Sequence, residues 1–163
     1  MSTMDDLKEA FAGESQANRK YLAFAAKADK EGYPQVAKLF RAAADAETVH
    51  AHAHLRVMKG IGSTEENLNQ AIGGETEEFK DMYPRMMEQA KSESNDPAYM
   101  SFANANAVEE IHAGLYQKAL DNLGSNETVD YYVCQVCGNT VEGEAPDKCP
   151  ICGAPKKMFK KTD

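Results

Sequence analysis

The chain has 163 residues, 42% hydrophobic and 27% charged, enough for one domain with a real core plus a small appendage. Its net charge of −8 argues against a nucleic-acid partner, whose phosphates need a basic surface. No run approaches the ~20 apolar residues of a membrane helix, and the acidic start MSTMDDLKEAF lacks the apolar stretch of a secretion signal, so the cytoplasm is the expected compartment.

Four helix-period segments come first. The first runs from about Met4 to Asp29, with Leu7, Phe11, Glu14, Ala17, Tyr21, Ala25 and Ala28 spaced by three or four on one face. The second opens at Pro34, a favoured first-turn residue, and carries Val36, Phe40, Ala43, Glu47, His50, His54, Val57 and Ile61. The third opens at Ser63, which can form a capping box with Glu66. Its stripe is Leu68, Ile72, Glu75, Phe79, Met82 and Met86; Gly73-Gly74 and Pro84 predict a kink or break within it. The fourth opens near Asp96 and Pro97 and carries Phe102, Ala105, Glu109, His112, Tyr116, Ala119 and Leu123. A polar linker, residues 124–130, precedes a tail of different composition, rich in Gly, Pro and Cys and too poor in apolar residues to fold unaided. The expected fold class is mainly α: a four-helix bundle over residues 1–128 and a small four-cysteine metal domain over residues 129–163. All of the acidic excess lies in residues 1–128, where 13 Lys and Arg meet 21 Asp and Glu.

Each apolar stripe contains one acid near its middle: Glu14, Glu47, Glu75 and Glu109. A buried, unpaired carboxylate costs several kcal/mol, on the order of the effective desolvation penalty of an ion. No Lys or Arg shares these stripes, so either the acids are protonated or a multivalent cation sits among them. Glu47 and His50, and again Glu109 and His112, form ExxH pairs. On a helix these share a face and differ by only ~4.5 Å in rise, so both side chains reach one ion. Two ExxH pairs on alternate helices, with a lone Glu on each of the others, are the ligand set of ferritin-like carboxylate-bridged dimetal sites. Oxygen donors mixed with imidazole suit iron or manganese. The spacing repeats: 61 residues from Glu14 to Glu75, 62 from Glu47 to Glu109. Glu78, three residues after Glu75, offers a seventh ligand. Of the other histidines, His52 should face outwards, and His54 lies ~10.5 Å along the helix from Glu47, too far to share its ion.

The tail contains Cys134, Cys137, Cys149 and Cys152 as two CxxC pairs, each followed by glycine. Each turn aims two thiolates at one metal, and together they predict a tetrahedral four-thiolate site that zinc or iron fits.

The residues GESQANRKY, AETVH, GETEEFKDMYP, EEIHAGLY and the paired CxxCG resemble the rubrerythrin family, in which a ferritin-like di-iron bundle is fused to a rubredoxin-like domain with one iron on four cysteines. The resemblance spans essentially the whole chain. Gln135 departs from the proline frequent in such knuckles, and only 11 residues separate Cys137 from Cys149, which is short for free-standing rubredoxins but like the fused form; neither departure removes a ligand. The resemblance implies that Glu47 and Glu109 bridge the irons, that Glu75 and His112 complete one, and that Glu14 holds the other, which exchanges Glu78 for His50 with redox state. It implies that Tyr21 and Tyr83 hydrogen-bond the ligand carboxylates. The implied activity is reduction of hydrogen peroxide to water in oxidative-stress defence. Electrons would come from a reductase or rubredoxin through the four-cysteine iron. The implied assembly is a homodimer in which one subunit's thiolate-bound iron faces another's di-iron site. The competing readings are a ferroxidase, and an electron-transfer or metal-binding module with a structural zinc tail.

Overall fold

The computed structural model describes residues 2–162. Helix α1 spans Thr3–Lys30 and α2 Pro34–Val57. Helix α3, Thr64–Glu77, passes through a π-helical turn, Glu78–Met82, into α4, Tyr83–Ser92. Helix α5 spans Asp96–Asp121, and strands β1 (Tyr131–Cys134), β2 (Thr140–Glu142) and β3 (Phe159–Lys161) follow. The chain is thus mainly α with a small four-cysteine β unit, and it divides into two compact units, Met1–Gly62 and Ser63–Asp163.

The first unit is the α1–α2 hairpin. The Ser2 hydroxyl accepts from the Asp5 amide, and Asp5 returns the bond to the Ser2 amide, a capping box that satisfies two of the free donors at the helix start. The hairpin's seam is alanine: Ala25 and Ala28 on α1, and Ala37, Ala44 and Ala51 at heptad spacing on α2, are all buried. Small side chains let the two backbones approach closely. The face of α1 follows the expected stripe. On α2 the buried seam lies beside the expected stripe: Glu47 and His54 are half-buried, while Val36 and Val57 are exposed. The reason is that a helix in a hairpin first buries the strip facing its partner, and alanine marks that strip.

One polar residue sits in the seam. Asn18 is buried and donates through Nδ2 to the Ala44 carbonyl (2.7 Å) and the Thr48 hydroxyl (2.8 Å), pinning the helices together one turn from Glu14 and next to Glu47. Replacing Asn18 by alanine removes both bonds and opens a gap. The expected cost is about 1–3 kcal/mol, read as an earlier urea midpoint; an unchanged midpoint would show that the seam holds without it.

In the second unit the break predicted in the third helix falls at the π turn. Gly73 and Gly74 stay helical. Pro84 has no N–H to give the Lys80 carbonyl, and its ring would crowd that carbonyl. The Tyr83 amide bonds instead to the Glu78 carbonyl, five residues back. The widened turn absorbs the defect and places Glu78 at its first position. Both α3 and α4 pack on α5.

The tail forms an antiparallel sheet in the order β2-β1-β3, with Tyr132 opposite Val141 on one side and Lys161 on the other. Its core is Cys134, Cys149 and Ala154 with Ile151, Met158 and Phe159 against them, too little to fold without a metal. The tail rests on α5 of its own chain. Lys118 pairs with Glu142 at 2.6 Å, the Tyr131 hydroxyl donates to the same carboxylate at 3.2 Å, and Asn126 in the linker donates back to the Ala119 carbonyl. The folded-back linker carries the tail onto α5.

Candidate metal centres

Two groups that could hold a metal ion repeat the same geometry. In the hairpin, His50 Nδ1 lies 2.8 Å from Glu47 Oε2 and 3.8 Å from Glu14 Oε1. In the second unit, His112 Nδ1 lies 2.8 Å from Glu109 Oε2 and 3.7 Å from Glu75 Oε1. Each trio offers ligand atoms within 4.8 Å of one another. An ion with ligands at about 2.1 Å sits naturally among donors spaced about 3–4 Å apart. A carboxylate oxygen has no proton to offer an imidazole lone pair, so each Nδ1 faces its acids only through a proton or a metal ion. The donor set is oxygen and imidazole, which fits iron.

The two groups differ in surroundings. The His50 side chain is 55% exposed, that of His112 only 26%. His112 Nε2 lies 2.8 Å from the Thr140 hydroxyl in β2, which in turn donates to the Gly138 carbonyl at 3.1 Å. This face of His112 borders an open, largely apolar cavity of about 400 Å³ lined by Leu68, Leu115, Tyr116 and Val133.

Around the second group the acids crowd. Burial first, then the charges of Glu109 and Glu78, pushes the Glu75 carboxyl up to about 6, against the pull of His112. Burial, Glu109 and Glu77 raise Glu78 as well. Glu78 is outside the trio itself but close enough to feel Glu109. Tyr83 packs against Phe102 at 6.3 Å between ring centres. Burial raises its hydroxyl, followed by the charges of Glu78, Glu109 and Glu75, so it keeps its proton. Tyr21 sits in an aromatic cluster with Phe24 and Phe40. His52 is exposed, as expected, and His54 is half-buried.

The Glu75 shift has a measurable consequence. An acid with a raised folded-state value holds more protons than the unfolded chain between its ordinary value of 4.5 and about 6. The metal-free protein therefore loses stability as pH rises through that window. Glu75→Gln removes the loss. Thermal unfolding of metal-free wild type and variant should show their Tm difference moving in the variant's favour from pH 4.5 to 6 and levelling above it; parallel curves would refute the assignment.

None of the four cysteines is in a disulfide, and the Cys134–Cys152 and Cys137–Cys149 sulfurs lie 3.7 and 3.6 Å apart. A tetrahedron with metal–sulfur bonds of 2.3 Å has edges of about 3.8 Å, so the cluster fits one ion without rearrangement. Gly138 and Gly153 take positive φ, 84° and 76°, directly after each CxxC. Their amides bond to the Cys134 and Cys149 carbonyls, closing both turns. Burial alone would raise the Cys149 thiol, but the amides of Cys152 and Ile151 bring it down to about 6. Burial pushes Cys137 up to about 12. Cys152 is raised by burial as well, so the cluster resists carrying four thiolates by itself and needs a cation to hold them together. Asn139, buried beneath it, directs its Nδ2 at the Cys149 sulfur at 3.7 Å. Asn139, Thr140 and Asn18 join the site without belonging to any of its sequence motifs. A polar residue directly after CxxCG is a signal for Asn139; Thr140 meets His112 across 28 positions and leaves no local trace.

Two family models match the chain: Rubrerythrin over residues 5–120, and the rubredoxin-like domain of rubrerythrin over residues 132–160. Rubrerythrin-2 of Clostridium acetobutylicum is 37% identical, with 96% of this chain and 95% of the relative aligned. Nigerythrin of Nitratidesulfovibrio vulgaris is 35% identical, covering 97% and 85%. The structure of fully reduced, all-ferrous nigerythrin superposes with a TM-score of 0.61 at 34% identity, over 99% of this chain and 87% of that one.

Proposed function

From the premise that the chain belongs to the rubrerythrin family, with its ferritin-like fold, non-haem di-iron site and four-cysteine iron site, we propose that it reduces hydrogen peroxide to water. Family members are oxidoreductases. The observation that carries the reading is the pair of matched Glu/Glu/His groups in one chain with a four-thiolate cluster whose domain touches one of their histidines.

The ligand set is Glu14, Glu47, His50, Glu75, Glu109 and His112, with Glu78 as the alternative to His50 and Cys134, Cys137, Cys149 and Cys152 on the single iron. When bound, the irons supply the Lewis acidity and the two electrons that, with two protons, turn one peroxide into two waters. The protein positions the carboxylates and moves the protons. Glu78, raised by burial and by Glu109, is placed to take up a proton more readily than an ordinary carboxylate and to release it when its surroundings gain positive charge. Tyr83 keeps its proton beside three carboxylates and serves as their hydrogen-bond donor. Tyr21 takes the corresponding role in the first group on the family resemblance alone. Residues 1–128 carry the reaction and residues 129–163 the electron entry. The protein works as a homodimer fed by a reductase or a rubredoxin, in defence against peroxide in the cytoplasm. No helix among the described residues is long and apolar enough to cross a membrane.

Stopped-flow mixing of the reduced protein with peroxide or with air tests this. Peroxide should oxidise it far faster; equal or faster reaction with air would make the protein a ferroxidase, and a colourless sample holding one zinc per tail would remove the electron relay. Glu78→Ala should slow turnover with metal still bound. Unchanged turnover would return Glu78 to the role of a solvated flank.

A further inference from the structure

We infer that Thr140, in the four-cysteine domain, is a positioning residue for His112: its hydroxyl accepts the Nε2 proton, fixing the tautomer that presents Nδ1 to the metal. The inference rests on reading Glu75, Glu109 and His112 as a metal group.

The argument is proton counting along a short chain of atoms. The Gly138 carbonyl has no proton and must accept. Thr140 Oγ1 lies 3.1 Å from it, with its one proton directed there. The hydroxyl's remaining capacity is to accept, and His112 Nε2 lies 2.8 Å away. His112 Nε2 must therefore carry a hydrogen. Nδ1 faces Glu109 Oε2 at 2.8 Å and Glu75 Oε1 at 3.7 Å. With a metal among those acids the imidazole is neutral, so its single proton stays on Nε2 and its lone pair on Nδ1. Outer hydrogen bonds of this kind orient a ligating histidine and strengthen it as a donor.

The hairpin provides an internal contrast. His50 has the same Nδ1 geometry, but among the described residues of the hairpin no hydrogen-bond partner holds its Nε2, and its side chain is twice as exposed, 55% against 26%. One histidine is held by a neighbouring domain and the other is not. Gly138 directly follows Cys137, so the backbone that shapes the thiolate turn also carries the carbonyl that aligns Thr140. Docking of the tail on α5 and the orientation of a bundle ligand are thereby one structural event.

The test uses the full chain, histidine-labelled with ¹⁵N and loaded with zinc at both kinds of site to keep it diamagnetic. In wild type, His112 should show Nδ1 bound to metal and an Nε2 proton exchanging slowly with water, while the His50 signal exchanges fast. Thr140→Val keeps the shape and β propensity but removes the acceptor. It should speed His112 Nε2 proton exchange at least about tenfold and weaken Co(II) binding at the carboxylate–histidine site by ~10–100-fold, the range typical of lost outer-shell partners. Thr140→Ser should restore both. The tail's cobalt–thiolate absorption should be the same in all three. A wild-type His112 whose Nε2 proton exchanges as fast as that of His50 overturns the inference without recourse to any variant. So does a valine variant with unchanged exchange and unchanged affinity. Absence of metal at His112 Nδ1 in wild type would overturn the metal-group reading itself, a separate result.

Discussion

Replacing Glu109 by alanine is expected to abolish peroxide consumption and metal binding at the carboxylate–histidine site together. Glu109 is the acid every neighbour feels: it lies 2.8 Å from His112 Nδ1, and its charge is among the causes that raise Glu75, Glu78 and Tyr83. As a ligand proposed to bridge two ions it has more to lose than an outer-shell partner, whose removal typically costs ~10–100-fold. Peroxide-dependent turnover should therefore fall by more than about 100-fold. The same deletion lets Glu75 and Glu78 titrate closer to ordinary carboxylates, so the metal-free variant should be no less stable than wild type at neutral pH. Loss of activity with full metal occupancy would move Glu109 from ligand to proton carrier. A collapse of helical structure would make its role structural.

Cys149→Ser should unfold the tail and leave the helices standing. Cys149 is buried at the centre of the tail's core, receives the Asn139 amide, and is the thiol that the backbone amides of Cys152 and Ile151 draw furthest towards the anion. The metal free energy in small thiolate sites is about 10–16 kcal/mol at neutral pH and is largely the folding energy of the domain. An alkoxide replacement does not form at that pH, so most of this is lost. The expected readouts are loss of the ferric–thiolate absorption, new proteolysis within residues 124–162, and far-ultraviolet dichroism near that of wild type. Electron delivery should fail while the reduced bundle still reacts once with peroxide. A tail that stays protease-resistant would show that its apolar contacts suffice. The second effect to look for is at His112, which loses Thr140 when the tail leaves α5.

The legible part of the site was the periodic part. Glu47 and His50 read as one unit because three residues on a helix always share a face, whatever surrounds it. The same holds for Glu109 and His112, and the CxxCG turns carry their geometry within five residues. The α2 seam was less legible: Ala37, Ala44 and Ala51 form a clean heptad, yet a hydropathy stripe gives alanine little weight, and the larger residues beside it drew the expected face one position round. In the third helix Pro84 announced a break, but sequence leaves open whether the chain kinks, stops or widens into a π turn, because that depends on which carbonyl finds a donor after the proline removes one.

What the sequence alone determined is the chemistry on offer: the two Glu/Glu/His sets, the four thiolates, and the family they belong to. These follow from local repeats, and local repeats need only the helix pitch and the tight turn. What only the tertiary structure decided is the set of partners those groups meet. Asn18 pins α1 to α2 across 26 residues, and Thr140 reaches His112 across 28. Burial, joined by the charge of Glu109 on a different helix, raises Glu75, Glu78 and Tyr83. Hydrogen bonds and charge effects act over a few ångströms in space, and no spacing along the chain encodes which distant residue packing will bring within that range.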